Sequence, residues 1–124
     1  MWARILEVAI GGALGATARL LAMEALRHRI GSAWPFGTFF VNISGCLALG
    51  LIVRFSHASG WSILDRHMLV VVGFLGSFTT FSTFVADADT LWQREGFLPA
   101  LTYLLLSVGL GFAVFWCARH AGSG

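Results

Sequence analysis

Apolar residues gather in four stretches, 5–23, 36–55, 68–86 and 97–118, each long enough to cross the hydrocarbon core of a bilayer as a helix. Short polar links at 24–35, 56–67 and 87–96 separate them and hold most of the charges, with turn residues such as Gly31-Ser32 and Ser59-Gly60. Lipid offers the backbone no hydrogen-bond partner, so each stretch is predicted to be helical. Trp2, Trp34, Trp61, Trp92 and Trp116 all stand at stretch ends, where an interfacial aromatic belt belongs. Arg4, an apolar run and the triplet Ala16-Thr17-Ala18 imitate a cleaved signal peptide. Glu7, Gly11, Gly12 and Gly15 weaken that run, and the pattern resumes at Leu20, so the first stretch is read as a retained span.

Composition agrees with this pattern. Charged residues make up 11% of the chain, against roughly 25% in a soluble domain. The expected class is an all-α integral membrane protein, with one four-helix transmembrane domain over residues 1–124. The eight basic residues, all arginines, exceed the acids by two and form no run, which argues against a nucleic-acid partner. Cys46 and Cys117 suggest neither a disulfide framework nor a zinc site. His28, His57, His67 and His120 fall near span ends and read as interfacial polar groups. With both termini on one side, Arg4, Arg54, Arg66 and Arg119 oppose Arg27, Arg29 and Arg94, so the charge bias is almost nil. Two readings stay open: the chain inserts both ways up and opposite copies pair, or one or two arginines dominate and insertion is uniform.

The polar residues inside the spans carry the candidate chemistry. On the first helix, Gly11 and Gly15 form a small-residue contact surface, within the chain or between chains. Arg19 is the deepest charge, and it should face a wet vestibule or the bundle. On the second, Thr38, Asn42, Gly45 or Cys46 and Leu49 form one stripe, with Asn42 well inside the membrane. Its amide is either interhelical glue or the lining of a polar path. The third helix reads Gly73 to Phe84 as GFLGSFTTFSTF, with four hydroxyl residues in five positions. Glycines followed by β-branched threonines predict a break near mid-membrane. Phe81 and Phe84 share a face and either pack or present positive ring edges to an anion. Tyr103 and Ser107 add two hydroxyls to one face of the fourth helix, with Gly111 next, while Gly109 and Gly111 read as a packing notch.

The centres of the second, third and fourth helices hold no Asp, Glu, Lys, Arg or His, which disfavours a proton-coupled pump. Positive charge beside N–H, O–H and ring edges suits an anion, whose hydration shell such donors replace. No enzyme constellation is present in the sequence.

These residues resemble the Fluc (CrcB) fluoride channels. The matches are Gly11 to Ala16 with Arg19, Pro35 to Thr38 through Val41-Asn42 and Gly45, and Gly73 to Phe84, with the family's Thr-Thr-Phe-Ser-Thr-Phe intact at Thr79 to Phe84. The resemblance implies a multi-pass protein of the inner (plasma) membrane: an antiparallel, dual-topology homodimer with two fluoride pores at the interface. By that analogy Asn42, Phe81 and Phe84 line the pore, Ser82 and Thr83 add hydroxyls, and Tyr103 with Ser107 forms a polar track. It also implies a structural sodium ion at the dimer centre, held by the backbone carbonyls of Gly76 and Thr79. Arg19 matches the family's arginine, and its charge suits drawing anions into a vestibule. Ser77 stands where the family often has a second glycine, and Gly111 where it has a further hydroxyl. The implied activity is passive: hydrogen fluoride enters neutral, dissociates inside, and fluoride leaves through the channel. The alternative is a small multidrug exporter, also a four-helix dual-orientation dimer, which needs a membrane carboxylate; Glu7 is the one candidate on the first helix.

Overall fold

A computed structural model describes residues 1–56 and 67–122; His57, the Ser59-Gly60 turn, Trp61 and Arg66 lie outside the described residues. The elements are α1 (Trp2–Ile30), α2 (Phe36–Phe55), α3 (Met68–Leu75), α4 (Gly76–Phe78), α5 (Phe81–Glu95) and α6 (Phe97–His120). Among the described residues, Trp2–Ile30, Phe36–Phe55, Met68–Glu95 and Phe97–His120 are long and apolar enough to span a bilayer. The fold is all-helical.

α2 has the expected bounds, whereas α1, α5 and α6 run past the hydrophobic stretches that predicted them. Polar residues continue a helix until something stops it, and here the stops are glycines. Gly31 (φ 89) closes α1 and Gly96 (φ 99) closes α5, a backbone region that favours glycine. Their amides return to the Arg27 carbonyl and to those of Leu91 and Trp92. The expected link 87–96 therefore shrinks to Gly96, and most of 24–35 is helix. Arg27, His28 and Arg29 occupy the last turn of α1, where cations suit the helix dipole.

Between Phe78 and Phe81 the backbone is extended, at Thr79 (φ −81, ψ 158) and Thr80 (φ −150, ψ 118). Thr80 then caps α5 by accepting the Thr83 N–H on its hydroxyl at 3.3 Å. Upstream, α3 is a π-helix whose end is tied by the Gly76 N–H to the Val71, Gly73 and Phe74 carbonyls.

α1 packs along α3 and α4, α2 along α6, and α6 against α5. The glycine pair of α1 makes its contact within the chain. A Cβ on Gly11 would strike the Leu69 carbonyl, and one on Gly15 the Phe74 carbonyl. Gly50 does the same for α2 on α6, where a Cβ would meet the Phe115 carbonyl at 2.5 Å, whereas a Cβ on Gly111 would rest in ordinary contact 3.4 Å from the Cys46 sulfur. Gly109 has nothing within 4 Å of its Cβ position, so of the expected notch only Gly111 meets a neighbour. A buried cluster of Phe84, Ala88, Leu91, Ala100 and Tyr103 joins α5 to α6. Trp34, just before the start of α2, packs on Phe36, Phe39 and Tyr103. Ile5, Leu6, Ile10, Leu14 and Leu21 of α1 point outward, as they do when the solvent is lipid.

Candidate functional site

Asn42 clasps the extended step from the middle of α2. Its Nδ2 donates to the Thr80 carbonyl at 3.1 Å, and its Oδ1 accepts the Thr80 N–H at 2.8 Å. The side-chain amide thus acts as a strand partner for one residue, satisfying both backbone groups that a helix would have paired. Glue is one of the two roles the sequence leaves open for Asn42, and the clasp is that role. An amide carries two N–H donors, so the second is not committed to it.

The clasp changes what two carbonyls can do. In an unbroken α-helix, the Thr80 N–H would reach the Gly76 carbonyl and the Thr83 N–H the Thr79 carbonyl. Here the first goes to Asn42 and the second to the Thr80 hydroxyl. Gly76, Thr79, Thr80, Phe81 and Asn42 together line an open groove of about 340 Å³. Gly45 backs it, since a Cβ there would strike the Thr79 methyl.

From this groove a line of rings leads inward. Phe81 is 77% exposed, whereas Phe84 is 7% exposed. Their ring centroids lie 5.8 Å apart at an interplanar angle of 44°. Phe84 meets Tyr103 at 5.3 Å, and Tyr103 meets Trp34 edge-on at 5.2 Å. Tyr103 is fully buried, with Ser107 buried one turn further along α6. Neither the Tyr103 hydroxyl nor the Ser107 Oγ has a hydrogen-bond partner among the described residues. Buried polar atoms in that state are uncommon. At the head of α5, the Thr80 hydroxyl donates to Thr83 at 3.0 Å, with Ser82 at 3.5 Å.

The structure therefore brings Asn42, Phe81, Gly76 and Thr79 to one groove, with Phe84, Thr83, Tyr103 and Ser107 behind it. Ser82 is exposed at the groove's edge. Arg19 stands apart: it is half-buried on α1 and lines neither this groove nor the cavity beside Trp34. Sequence reasoning left Thr80, Thr38 and Trp34 outside the candidate set. Thr38 is signalled by its place four residues before Asn42, and Thr80 by lying within the hydroxyl string. Trp34 gave no such signal, because tryptophan at a span end already has an interfacial explanation.

Hydroxyls, an amide and ring edges are donors to an anion, while carbonyls freed from a helix suit a hard cation. The chain is 43% identical over 119 residues to the fluoride-specific ion channel FluC of Paracoccus denitrificans (strain Pd 1222), covering 96% of this chain and 94% of that one. It is 41% identical over 120 residues to the protein of the same name from Chelativorans sp. (strain BNC1), covering 93% and 95%. A third relative, FluC of Synechocystis sp. (strain ATCC 27184 / PCC 6803 / Kazusa), is 37% identical over 106 residues, covering 86% and 82%. The family model described as CrcB-like protein, Camphor Resistance (CrcB), matches residues 6–119, and this multi-pass membrane chain belongs to that family.

Proposed function

We propose that the chain is a fluoride-selective channel, letting fluoride leave the cytoplasm passively across the inner membrane. The observation that carries this reading is the ring line from Phe81 through Phe84 to Tyr103, which starts at the Asn42–Thr80 clasp. A small anion entering a low-dielectric path needs donors in place of water. Here they are the second Asn42 N–H, the hydroxyls of Ser82, Thr83, Tyr103 and Ser107, and the positive edges of the two phenylalanines. Arg19, off the path itself, serves by drawing anions toward a vestibule.

The working unit is an antiparallel homodimer, and in it the third span is broken at mid-membrane by Thr79 and Thr80. In a single copy, the groove holding Asn42, Gly76, Thr79 and Thr80 lies open, and Ser82 is exposed beside it. Polar groups presented to lipid are costly, so a second copy covering this face removes a penalty. The near balance of Arg4, Arg54, Arg66 and Arg119 against Arg27, Arg29 and Arg94 supports insertion both ways up. A structural sodium ion fits the same place, because the Gly76 and Thr79 carbonyls have both lost their α-helical donors to the clasp and the cap. Bound there, it supplies positive charge that fixes the break.

Fluoride efflux from proteoliposomes tests the reading, run with and without an imposed proton gradient. The channel loses fluoride equally fast in both. Efflux that requires the gradient, and that Glu7→Gln abolishes, is the exporter's behaviour and contradicts this proposal.

A further inference from the structure

At the end of the ring line, a cavity of about 300 Å³ opens between α1, α2 and α5, walled in part by Trp34, Thr38 and Asp87. Asp87 lies three residues after Phe84 on α5, on the same side of the helix. Its Oδ2 is sealed from solvent and has no hydrogen-bond partner among the described residues, the condition shared by the Tyr103 hydroxyl and Ser107 Oγ. Thr38 and Asp87 wall the same cavity, and Tyr103 packs edge-on against Trp34 beside it and against Phe84. Neither Asp87 Oδ2 nor the Tyr103 oxygen makes a direct hydrogen bond among the described residues. Thr38 is 2% exposed and Tyr103 0%, so bulk water does not reach their hydroxyls.

The chemistry of these groups is a matter of counting hydrogens. A carboxylate only accepts, and a hydroxyl carries one hydrogen. A permeating anion also only accepts. Thr38 and Tyr103 therefore bring two hydrogens to a place where two kinds of acceptor want them. We propose that Asp87 is a positioning residue of the pathway: through a bridging water it draws the Thr38 and Tyr103 hydroxyl hydrogens toward itself, and an arriving anion competes for them. The proposal rests on the fluoride-channel reading. Asp87 then sets how tightly the anion is held at Tyr103. An amide in its place gives up that claim and brings N–H donors of its own.

Tyr103 is the only tyrosine in the chain, so ultraviolet resonance Raman spectroscopy of the tyrosine doublet reports on this hydroxyl alone, in the purified full-length protein and without transport. In wild type the doublet shows a hydrogen-bond donor. In D87N it shifts away from the donor form, and added sodium fluoride binds about tenfold more tightly than to wild type, the net worth of one hydrogen bond. Asp87→Ala gives the same shift without new donors and serves if the amide variant does not fold. An identical doublet in wild type and both variants overturns the proposal, as does tighter fluoride binding by wild type. Liposomes of wild type that release no fluoride overturn the channel reading instead, while the doublet still decides the role of Asp87.

Discussion

Asn42 and Thr80 hold each other through a pair of hydrogen bonds, 3.1 Å from the amide nitrogen to the Thr80 carbonyl and 2.8 Å from the Thr80 N–H to the amide oxygen. Thirty-eight residues separate them in sequence. The pair ties α2 to the head of α5, and with it the position of Phe81, the next residue along. Asn42→Ala leaves both backbone groups of Thr80 without a partner, at a cost of roughly 1–3 kcal/mol per unsatisfied group. Thermal unfolding in detergent should show the loss of stability, and fluoride efflux should fall about tenfold or more. Asn42→Asp keeps the oxygen but loses the N–H donor, and should rescue only part of the stability.

The glycines of the chain divide by what a side chain would meet. Gly11→Ala and Gly15→Ala drive a methyl into the Leu69 and Phe74 carbonyls, while Gly109→Ala enters open space. The first two should destabilise by about 1–3 kcal/mol. The third should be neutral or stabilising by roughly 0.5–1 kcal/mol through helix propensity. Melting temperatures of the three variants in one detergent check the ordering.

The four spans were legible from hydropathy, and the shared face of Phe81 and Phe84 from their spacing, but the meeting of Phe84 with Tyr103 across two helices was not. Nor were the bounds of α1 and α5, because hydropathy marks where lipid begins and Gly31 and Gly96 mark where the helices end. Whether Gly11 and Gly15 pack within the chain was also hidden: the motif shows a contact surface, and only the third dimension supplies α3 as its partner. Thr80 escaped notice for a related reason. Its clasp with Asn42 is made by backbone atoms, which carry no residue type, while its hydroxyl caps α5 in a string where every hydroxyl looked alike.

Tyr103 separates stability from transport. Its ring packs on Phe84 and Trp34, while its hydroxyl has no partner among the described residues. Tyr103→Phe keeps the packing and removes a hydroxyl that makes no direct bond to the protein, so the melting temperature should change little. Fluoride efflux should nevertheless fall, by about tenfold if one hydrogen bond to the anion is lost. A fall in both together would mean that the hydroxyl serves the fold.

Sodium gives a test of the Gly76 and Thr79 carbonyls that needs no substitution. Exchange of sodium for a bulky organic cation should lower fluoride efflux by about tenfold, roughly 1.4 kcal/mol, and restoring sodium should reverse it. Equal rates in the two cations would remove sodium from the account.

On the channel reading the edge of the Phe81 ring, whose centroid lies 5.8 Å from that of Phe84, lies on a fluoride path. The most direct measurement is efflux from liposomes containing purified protein, read with a fluoride electrode and repeated for chloride, in wild type and in Phe81→Ile. Isoleucine is close in size but has no ring edge. Wild type should lose fluoride rapidly without losing chloride, and fluoride efflux should slow about tenfold or more in the variant, if the ring edge contributes roughly 1.4 kcal/mol. Release of both anions alike, or a folded Phe81→Ile protein that passes fluoride at the wild-type rate, would contradict this reading.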